Sequence, residues 1–392
     1  MSFTEAQFRT FFATQRGKAL LPKDLYLSLI QQRSYATTWL LKGREKDLMA
    51  EMGGPNFIMS LSAGYGVAGG AINPGQKRSP NISSDQRNRV LAPRFYESHV
   101  GWTEQEIMLA QGADAEAIVR YADVVEGNRL LKCLDTIEDV WFKRPDSSLM
   151  ENPDPASNTA PLAYSIPAIL TESANGLPPA YTTATGPVWN AATVGGYDPT
   201  LLPDDKPQRA TYDSAAWNNE ETGILPAFDL MLENMTYEPF SLAAKAVKPS
   251  DMSTVTVFTN TDGRVKLTSL YRGKQDMWED PNDANQGMPK IGGASIVKIS
   301  KLDKEYLDQN NGGPGGAAQY TEQPYPKDKP RFFFWNNAFG GPRFKGSKND
   351  LFKAKAPKDG GIEYPDTTVV YTRFIMQLVW SLRNRHGIVC PQ

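Results

Sequence analysis

Histidine and cysteine, which most often carry acid–base, nucleophilic and metal chemistry, are scarce in this chain. Two histidines, His99 and His386, and two cysteines, Cys133 and Cys390, occur in 392 residues. A closed zinc site needs about four ligands, and these four lie far apart in the sequence. We interpret both histidines as structural or surface residues and Cys133 as a core residue. We therefore expect no metal site, no disulfide framework and no enzymatic activity.

A glycine motif is the second candidate for chemistry. Residues 64–69, Gly-Tyr-Gly-Val-Ala-Gly, have the spacing of a dinucleotide-binding loop. Such a loop runs directly into a helix, whereas Gly70, Pro74 and Gly75 follow here and prevent a helix from starting. We predict a glycine-rich hairpin and no cofactor. The carboxylates of 104–139 alternate with Lys and Arg, which is typical of a solvated helix face or of a face that contacts a neighbour.

The composition is that of a globular protein, with 40% hydrophobic and 22% charged residues. No apolar run approaches the roughly 18 to 20 residues of a membrane span. The first residues lack a signal-peptide core. We expect no membrane partner and no export.

The net charge of −2 hides an asymmetry along the chain. Residues 1–50 carry a net charge of +4 and residues 327–392 a net charge of +7, which leaves −13 for residues 51–326. Ordinary surface charge accounts for this pattern. Alternatively, the basic ends contact a polyanion or the acidic middle of a neighbouring copy.

Two long elements dominate the first half of the chain. Residues 56–69 and 88–101 are partly alternating and enclose a polar, turn-rich segment, which predicts a long β-hairpin with a basic tip. Residues 113–142 carry an apolar stripe at helical spacing and predict a helix of about 45 Å. Residues 144–222 are rich in proline and predict mainly loop, with a short strand at 165–173.

The second half alternates helices and strands. Residues 223–240 predict a helix that starts near Pro226, and Asp262-Gly263 predicts a turn before a further helix. Glycine-rich loops are expected at 310–316 and 340–341. Predicted strands cover 254–259, 292–303, 330–337 and the start of 367–390.

The last of these strands is unusually long. Apolar residues recur there at every second position, and β-branched and aromatic residues favour a strand over a helix. About sixteen residues would extend roughly 50 Å. The alternating positions are Val370, Thr372, Phe374, Met376, Leu378, Trp380 and Leu382.

This order of elements resembles the major capsid proteins of tailed bacteriophages, which have the Hong Kong 97-like fold. Local sequence supports the resemblance in five places, in the order that the family shows. These segments are HVGWTEQEIML (99–109), YSIPAILTESANGLPP (164–179), VFTNTDGRVKLTSL (257–270), PRFFFWNN (330–337) and RNRHGIVCP (383–391).

The resemblance implies an α+β fold with a defined division of the chain. It comprises an N-terminal arm, an extended hairpin called the E-loop, a peripheral domain with a spine helix and long strands, and an axial domain. The implied ranges are 1–50 for the arm, 51–105 for the E-loop, 106–222 for the peripheral domain with its spine helix at 113–142, 223–328 mainly for the axial domain, and 329–392 for the return to the peripheral domain.

The resemblance also implies a function. The chain is expected to assemble with itself into pentamers and hexamers of an icosahedral head that encloses double-stranded DNA, which it would bind without sequence specificity. Expected partners are portal, scaffolding and decoration or cement proteins, and the expected location is the virion capsid, assembled in the bacterial host cytoplasm. Expected subunit-contact residues are Lys77, Arg78, Arg87, Arg89, Arg94, Trp102, Glu104 and Glu106.

Two other functions stay open at this point. An encapsulin-like nanocompartment shell would use the same fold around an enzyme cargo, and its gene neighbours would distinguish it from a phage protein. A carbohydrate-binding or hydrolytic protein would need clustered exposed tryptophans with a paired Asp or Glu. Its candidate tryptophans are Trp189, Trp217, Trp278 and Trp335.

Overall fold

A computed structural model describes two β-sheets, the helices that cover them and the base of a hairpin. The described residues are 36–41, 56–62, 86–103, 136–142, 150, 161–170, 194–195, 206–236, 254–274, 290–303, 329–345, 358–359 and 367–391. The tip of the predicted hairpin, most of the predicted spine helix and residues 310–316 lie outside these ranges.

The strands are β1 (Phe57–Ser62), β2 (Gln86–Leu91), β3 (Arg94–Thr103), β4 (Gln208–Tyr212), β5 (Val255–Thr259), β6 (Lys290–Ile291), β7 (Ala294–Lys298), β8 (Phe332–Asn336), β9 (Gly340–Lys345), β10 (Lys358–Asp359), β11 (Thr367–Trp380) and β12 (Gly387–Pro391). The helices are α1 (Ala36–Leu41), α2 (136–141), α3 (Ile166–Ile169), α4 (Ile224–Thr236) and α5 (Thr261–Lys274), with short 3-10 turns at Ser300–Asp303 and Arg383–Arg385.

The base of the predicted hairpin is present. Strands β1 and β2 pair antiparallel over six residues, with Phe57 opposite Leu91 and Ser62 opposite Gln86. The predicted return arm at 88–101, however, is two strands, because β2 ends at Leu91 and β3 begins at Arg94 in another sheet. Pro93 lies in the break, where its ring removes a backbone donor from the ladder.

The long strand β11 is the centre of a four-stranded sheet. It pairs antiparallel with β3 from Thr367 to Met376, and with β10 and β9 on its other edge. The predicted strand is confirmed over Thr367–Trp380. It ends earlier than expected because a 3-10 turn follows and residues 387–391 form a separate strand.

The second sheet has six strands in the order β4-β12-β8-β5-β7-β6. Strand β12 runs parallel to β4 and β7 runs parallel to β5, while the remaining pairs are antiparallel. The predicted strands at 254–259 and 330–337 form its centre. Strand β4 lies in a stretch that the sequence predicted as loop, since its five residues are too short to show a periodicity.

Both faces of the six-stranded sheet are buried, which the aromatic strand β8 makes plain. Phe332 and Phe334 point into one core with α4 and α5. Phe333 and Trp335 point into the other core, which includes α2, α3 and the inner face of β11. Successive residues of a strand face opposite sides, so a run of four aromatic residues, Phe332 to Trp335, fits a strand covered on both faces.

Three local predictions were wrong. Residues 166–169 form a turn of helix rather than a strand, because Ser165 caps it by accepting a hydrogen bond from the Ala168 amide at 3.3 Å. The Asp262-Gly263 pair lies inside α5 rather than in a turn, since Asn260 Oδ1 accepts the Gly263 amide at 2.8 Å. Residues 340–341 begin β9 rather than a loop, and Gly340 pairs with Trp380.

Candidate assembly surface

The predicted contact residues fall into two groups. Arg87 and Arg89 lie on β2, and Arg94 and Trp102 lie on β3. The structure thus brings these four onto consecutive strands. Lys77, Arg78, Glu104 and Glu106 lie outside the described residues. A role at subunit contacts stays a prediction for all eight.

Arg89 connects the hairpin to Trp380, the last residue of β11, through two contacts. Its guanidinium lies 4.7 Å from the centre of the Trp380 ring and donates to the Trp380 carbonyl at 3.2 Å. The side chain is fully buried, as are those of its neighbours Phe57 and Leu91. We call Phe57, Arg89 and Leu91 the hairpin root. A stacked, charge-assisted contact of this kind fixes where the hairpin leaves the body.

Gly195 closes the contact between Arg89 and Trp380. It has a left-handed backbone with φ of 63°. A β-carbon there would lie 3.0 Å from Arg89 Cδ and 3.0 Å from Trp380 Cζ2. Both its backbone conformation and the space around it therefore require glycine.

The break between β2 and β3 is held by hydrogen bonds. The Gln377 side chain donates to the Ala92 carbonyl at 2.9 Å and accepts from the Tyr164 amide at 2.9 Å. Arg94 donates to the Met150 carbonyl at 2.8 Å. The hairpin root and the chain that follows it are thus tied to the body on both sides of the break.

Tyr96 packs beside this anchor on the inner face of the four-stranded sheet. Its ring stacks on Phe374 at 5.5 Å, and its hydroxyl accepts from the Ala163 amide at 2.8 Å. Burial raises the pKa of Tyr96 to about 12, although the Ala163 hydrogen bond and the nearby Arg94 charge both act to lower it. The phenol is therefore neutral across the physiological range.

The opposite faces of these strands are open. On the hairpin, Ile58 and Val90 form a cross-strand pair and are 55% and 52% exposed. On β3, Phe95 is 71% exposed and lies opposite Ile375. Residues directly opposite in an antiparallel pair share one face. Large apolar side chains of this kind are typical of surfaces that contact other proteins.

An ion pair lies beside Phe95 on the same open face. Arg373 and Glu97 are opposite each other in the register and form a salt bridge. His99 is also exposed on this face and follows Glu97 by two residues. The open face of β3 and β11 therefore combines one large ring with charged and polar groups, which is the composition of a protein-contact rim rather than of a core.

Part of the basic carboxyl-terminal region is used inside the chain. Arg383 is fully buried and donates to the Ile169 carbonyl at 2.8 Å. Arg385 donates to the Met235 carbonyl at 2.8 Å. His386 is buried, stacks on Trp335 at 4.1 Å and accepts the Asn336 amide at 3.2 Å through Nδ1. Arg383 and His386 are thus buried and bonded inside the chain, so neither side chain contributes to a basic surface.

Within the described ranges, no group of three or more His, Cys, Asp and Glu side chains could hold a metal ion. None of the helices there has the length and apolar character that crossing a bilayer requires.

Comparison with known proteins gives matches at the level of structure alone. No protein-family model and no curated protein matches the sequence. A chain of the cyanophage A-1(L) capsid asymmetric unit matches with a TM-score of 0.52 and 11% identity, over 88% of this chain and 90% of that chain. The chain has the fold of a phage capsid protein. The resemblance that the sequence showed is thereby confirmed for the fold.

Chains of two other capsids match with lower TM-scores. A chain of the bacteriophage PhiM1 mature capsid has a TM-score of 0.44 and 12% identity, over 88% of this chain and 84% of that chain. A chain of an empty GTA particle has a TM-score of 0.42 and 10% identity, over 88% of this chain and 94% of that chain.

Sequence reasoning missed most of the anchor of the hairpin. Arg89 stood out as a cation, but its partner Trp380 is 291 residues away. Gln377 looked like an ordinary member of the polar face of β11, although its side chain is fully buried. The one signal was the position of Arg89 directly before the apolar pair Val90-Leu91, which is typical of a strand rather than of a turn-rich tip.

Proposed function

We propose that this chain is the major capsid protein of a tailed bacteriophage. Copies of it would assemble into pentamers and hexamers that form an icosahedral head around double-stranded DNA. The observation that carries the proposal is the shared fold with the cyanophage capsid chain, over nine tenths of that chain. The function of the shell is structural, and no step of it calls for catalysis or a cofactor.

The open hairpin supports the proposal. A two-stranded hairpin has too little core to be stable on its own, and this one is anchored at its root while Ile58 and Val90 remain exposed. We propose that a neighbouring subunit covers these residues. Lys77, Arg78, Arg87, Trp102, Glu104 and Glu106 would contact the neighbour, while Arg89 and Arg94 would hold the hairpin at the angle that the contact needs.

We propose the Hong Kong 97-like division of the chain on the ranges given above: arm 1–50, E-loop 51–105, peripheral domain 106–222 and 329–392, and axial domain 223–328. The six-stranded sheet takes strands from 206–222, from 223–328 and from 329–392. The axial and peripheral parts would therefore share a continuous core, so that force on one part is transmitted to the other.

Electron microscopy of the expressed protein tests the proposal. Shells tens of nanometres across, formed alone or with co-expressed portal, scaffolding and cement proteins from the same genome, are the expected result. A monomer that persists under all these conditions would overturn it. An enzyme cargo inside the particle would instead favour a nanocompartment shell.

Deletion of residues 70–87 tests the part assigned to the hairpin. The subunit should still fold, because the root residues Phe57, Arg89 and Leu91 remain, but stable shells should not form. Circular dichroism checks the fold and sedimentation checks the particles. Normal particles from this deletion would contradict the assignment.

A further inference from the structure

The two helices that cover one face of the six-stranded sheet have opposite charge. Helix α4 contains Asp229 and Glu233 and no Lys or Arg. Helix α5 contains four basic residues and one acidic residue. The loop before α4 adds the exposed carboxylates Glu220 and Glu221. One helix surface is therefore acidic and the other is basic.

Each helix also exposes a large apolar side chain among these charges. Leu230 on α4 is 53% exposed and lies beside Asp229 and within one turn of Glu233. Val265 on α5 is 62% exposed and follows Arg264. We call Asp229, Leu230 and Glu233 the acidic patch and Arg264 and Val265 the basic patch. An apolar centre with charged surroundings is the usual anatomy of a protein–protein contact.

The two patches lie on one face of the sheet, toward its opposite edges, and both helices are packed on its core. Helix α4 packs on β4 and β12 at one edge, whereas α5 packs on β7 near the other edge. Phe228, Met231 and Leu267 enter the same core between the helices and the sheet. Lys266 lies 5.6 Å from the centre of the Trp217 ring, which ties α5 to the loop before α4.

Complementary patches toward opposite edges of one sheet face allow a head-to-tail contact between copies. Copies joined in this way form a closed ring when the rotation between neighbours allows it. Charge complementarity of this kind fixes the partner and the register of an interface. A C2 dimer would also pair unlike patches, because residue i of one copy then contacts residue j of the other and the reverse. Native mass spectrometry separates such a dimer from a ring.

We propose that the acidic patch on α4 of one subunit docks against the basic patch on α5 of the next copy of this chain around a pentamer or hexamer. This rests on the proposed capsid function and names the surfaces that close the ring. Leu230 and Val265 form the apolar centre of the contact, and the carboxylates of α4 face the cations of α5.

Charge reversal tests the contact. The variant Asp229→Lys/Glu233→Lys makes both patches basic, and Arg264→Glu/Lys266→Glu makes both acidic while keeping the apolar centre. Each should lower the yield of rings and shells by about tenfold or more, because like charges then meet at every contact. A chain that carries all four substitutions exchanges the two charges and should recover assembly. Lys298→Glu, on an exposed residue of β7 outside both helices, is the matched control and should assemble normally.

Mixing the two reversed variants gives a sharper test. Only contacts between unlike variants are then complementary, so that a ring must alternate between them. An alternating ring closes with six subunits but not with five. Six-membered rings without closed shells are expected by electron microscopy and native mass spectrometry.

Several results would overturn the proposal. Normal assembly of both reversed variants, alongside assembly of the original chain, would refute this contact and leave the capsid function intact. Loss of assembly in both without recovery in the fourfold variant would show that something other than a second copy occupies the patches, such as a scaffolding protein or DNA. Hydrogen exchange on the original chain gives an independent check, since unchanged protection of α4 and α5 on assembly would also refute the contact.

Discussion

Replacing Arg89 with alanine tests whether the hairpin is anchored by one stacked guanidinium. The substitution removes the contact with the Trp380 ring and the donor to the Trp380 carbonyl. It also leaves a gap beside Phe57 and Leu91, which are fully buried. The strands β1 and β2 lose the charged link that Arg89 makes to β11, while the apolar contacts of Phe57 and Leu91 and the pairing between the two strands remain.

The size of the effect follows from these contacts. A partly desolvated cation–π contact contributes about 1–2 kcal/mol, and a hydrogen bond from a charged donor about 1.5–3 kcal/mol. The substitution also removes the desolvation cost of keeping a charged guanidinium buried, and this gain offsets part of the lost contact energy. We expect a net loss of about 3 kcal/mol, which corresponds to roughly a hundredfold increase in the open population of the hairpin.

Hydrogen exchange measured by mass spectrometry is the appropriate assay, because it reports opening of β1 and β2 separately from global unfolding. Amides of 57–62 and 86–91 should exchange about a hundredfold faster in Arg89→Ala, while those of β5 and β8 should change little. Arg373→Ala is the matched control, since it removes an exposed ion pair with Glu97 that contributes about 1 kcal/mol or less.

A double-mutant cycle with Trp380→Phe isolates the contact itself. The coupling between positions 89 and 380 should be about 1 kcal/mol or more, because the two side chains touch. A coupling near zero, or unchanged exchange of β1 and β2 in Arg89→Ala, would show that strand pairing and the apolar root hold the hairpin without the guanidinium.

Three further perturbations have defined outcomes. Gly195→Ala should cost about 1–2 kcal/mol, read from the urea midpoint, because an alanine must adopt a left-handed backbone there; an unchanged midpoint would contradict the crowding described. Ser165→Ala should cost about 1 kcal/mol by the same assay, since the first turn of α3 loses its cap, and Ser165→Asn should restore most of it. Tyr96 has its pKa raised to about 12 in the folded chain, so the stability it contributes is present below pH of about 10 and is lost as the pH rises toward 12. In Tyr96→Phe, the free energy of unfolding should fall less steeply between pH of about 10 and 12. Equal pH slopes for the variant and the original chain would refute the raised pKa of Tyr96.

The sequence predicted the elements with a strong period. Strand β11 was visible from its alternating apolar residues, and β8 from its run of aromatic residues, because both are long or apolar enough for a single face or a buried run to show. Helix α4 was visible for the same reason. The start of β1 and the strand at 88–91 were predicted correctly because turn-forming residues separate them, whereas the rest of the return arm pairs with β11 instead.

Sequence reasoning failed where a single side-chain hydrogen bond determines how a helix begins. The first turn of α3 depends on one hydrogen bond to the Ser165 hydroxyl. The start of α5 depends on one hydrogen bond to the side-chain oxygen of Asn260. Without that bond in view, the Asp262-Gly263 pair was predicted to form a turn, although it lies in a helix. Gly263 tolerates no side chain here, since a β-carbon would lie 2.2 Å from Thr259 Oγ1. A glycine needed for close packing and a glycine needed for a turn cannot be told apart in one sequence.

The parts of the candidate assembly surface could not be read from the sequence. Arg89 and Arg94 were expected to be contact residues, yet both side chains are buried in their own chain. Exposed Ile58, Val90 and Phe95 had no distinguishing sequence signal, because an apolar residue on a strand looks the same whether it faces a core or a neighbour. Only the pairing register separates the two cases.

The position of β12 inside the six-stranded sheet has a consequence for how the protein is made. Cys390 on β12 bonds to Ala210 on β4, 180 residues earlier, and β12 also pairs with β8. At a synthesis rate of about 5–20 residues per second, β4 waits on the order of ten seconds or more for its neighbour. A chain released by the ribosome before residue 387 has a gap between β4 and β8, and its two cores lack Ile388 and Val389. Under the proposed capsid function, truncated chains should therefore not compete with complete ones for assembly, because β4 lacks the strand that joins it to β8.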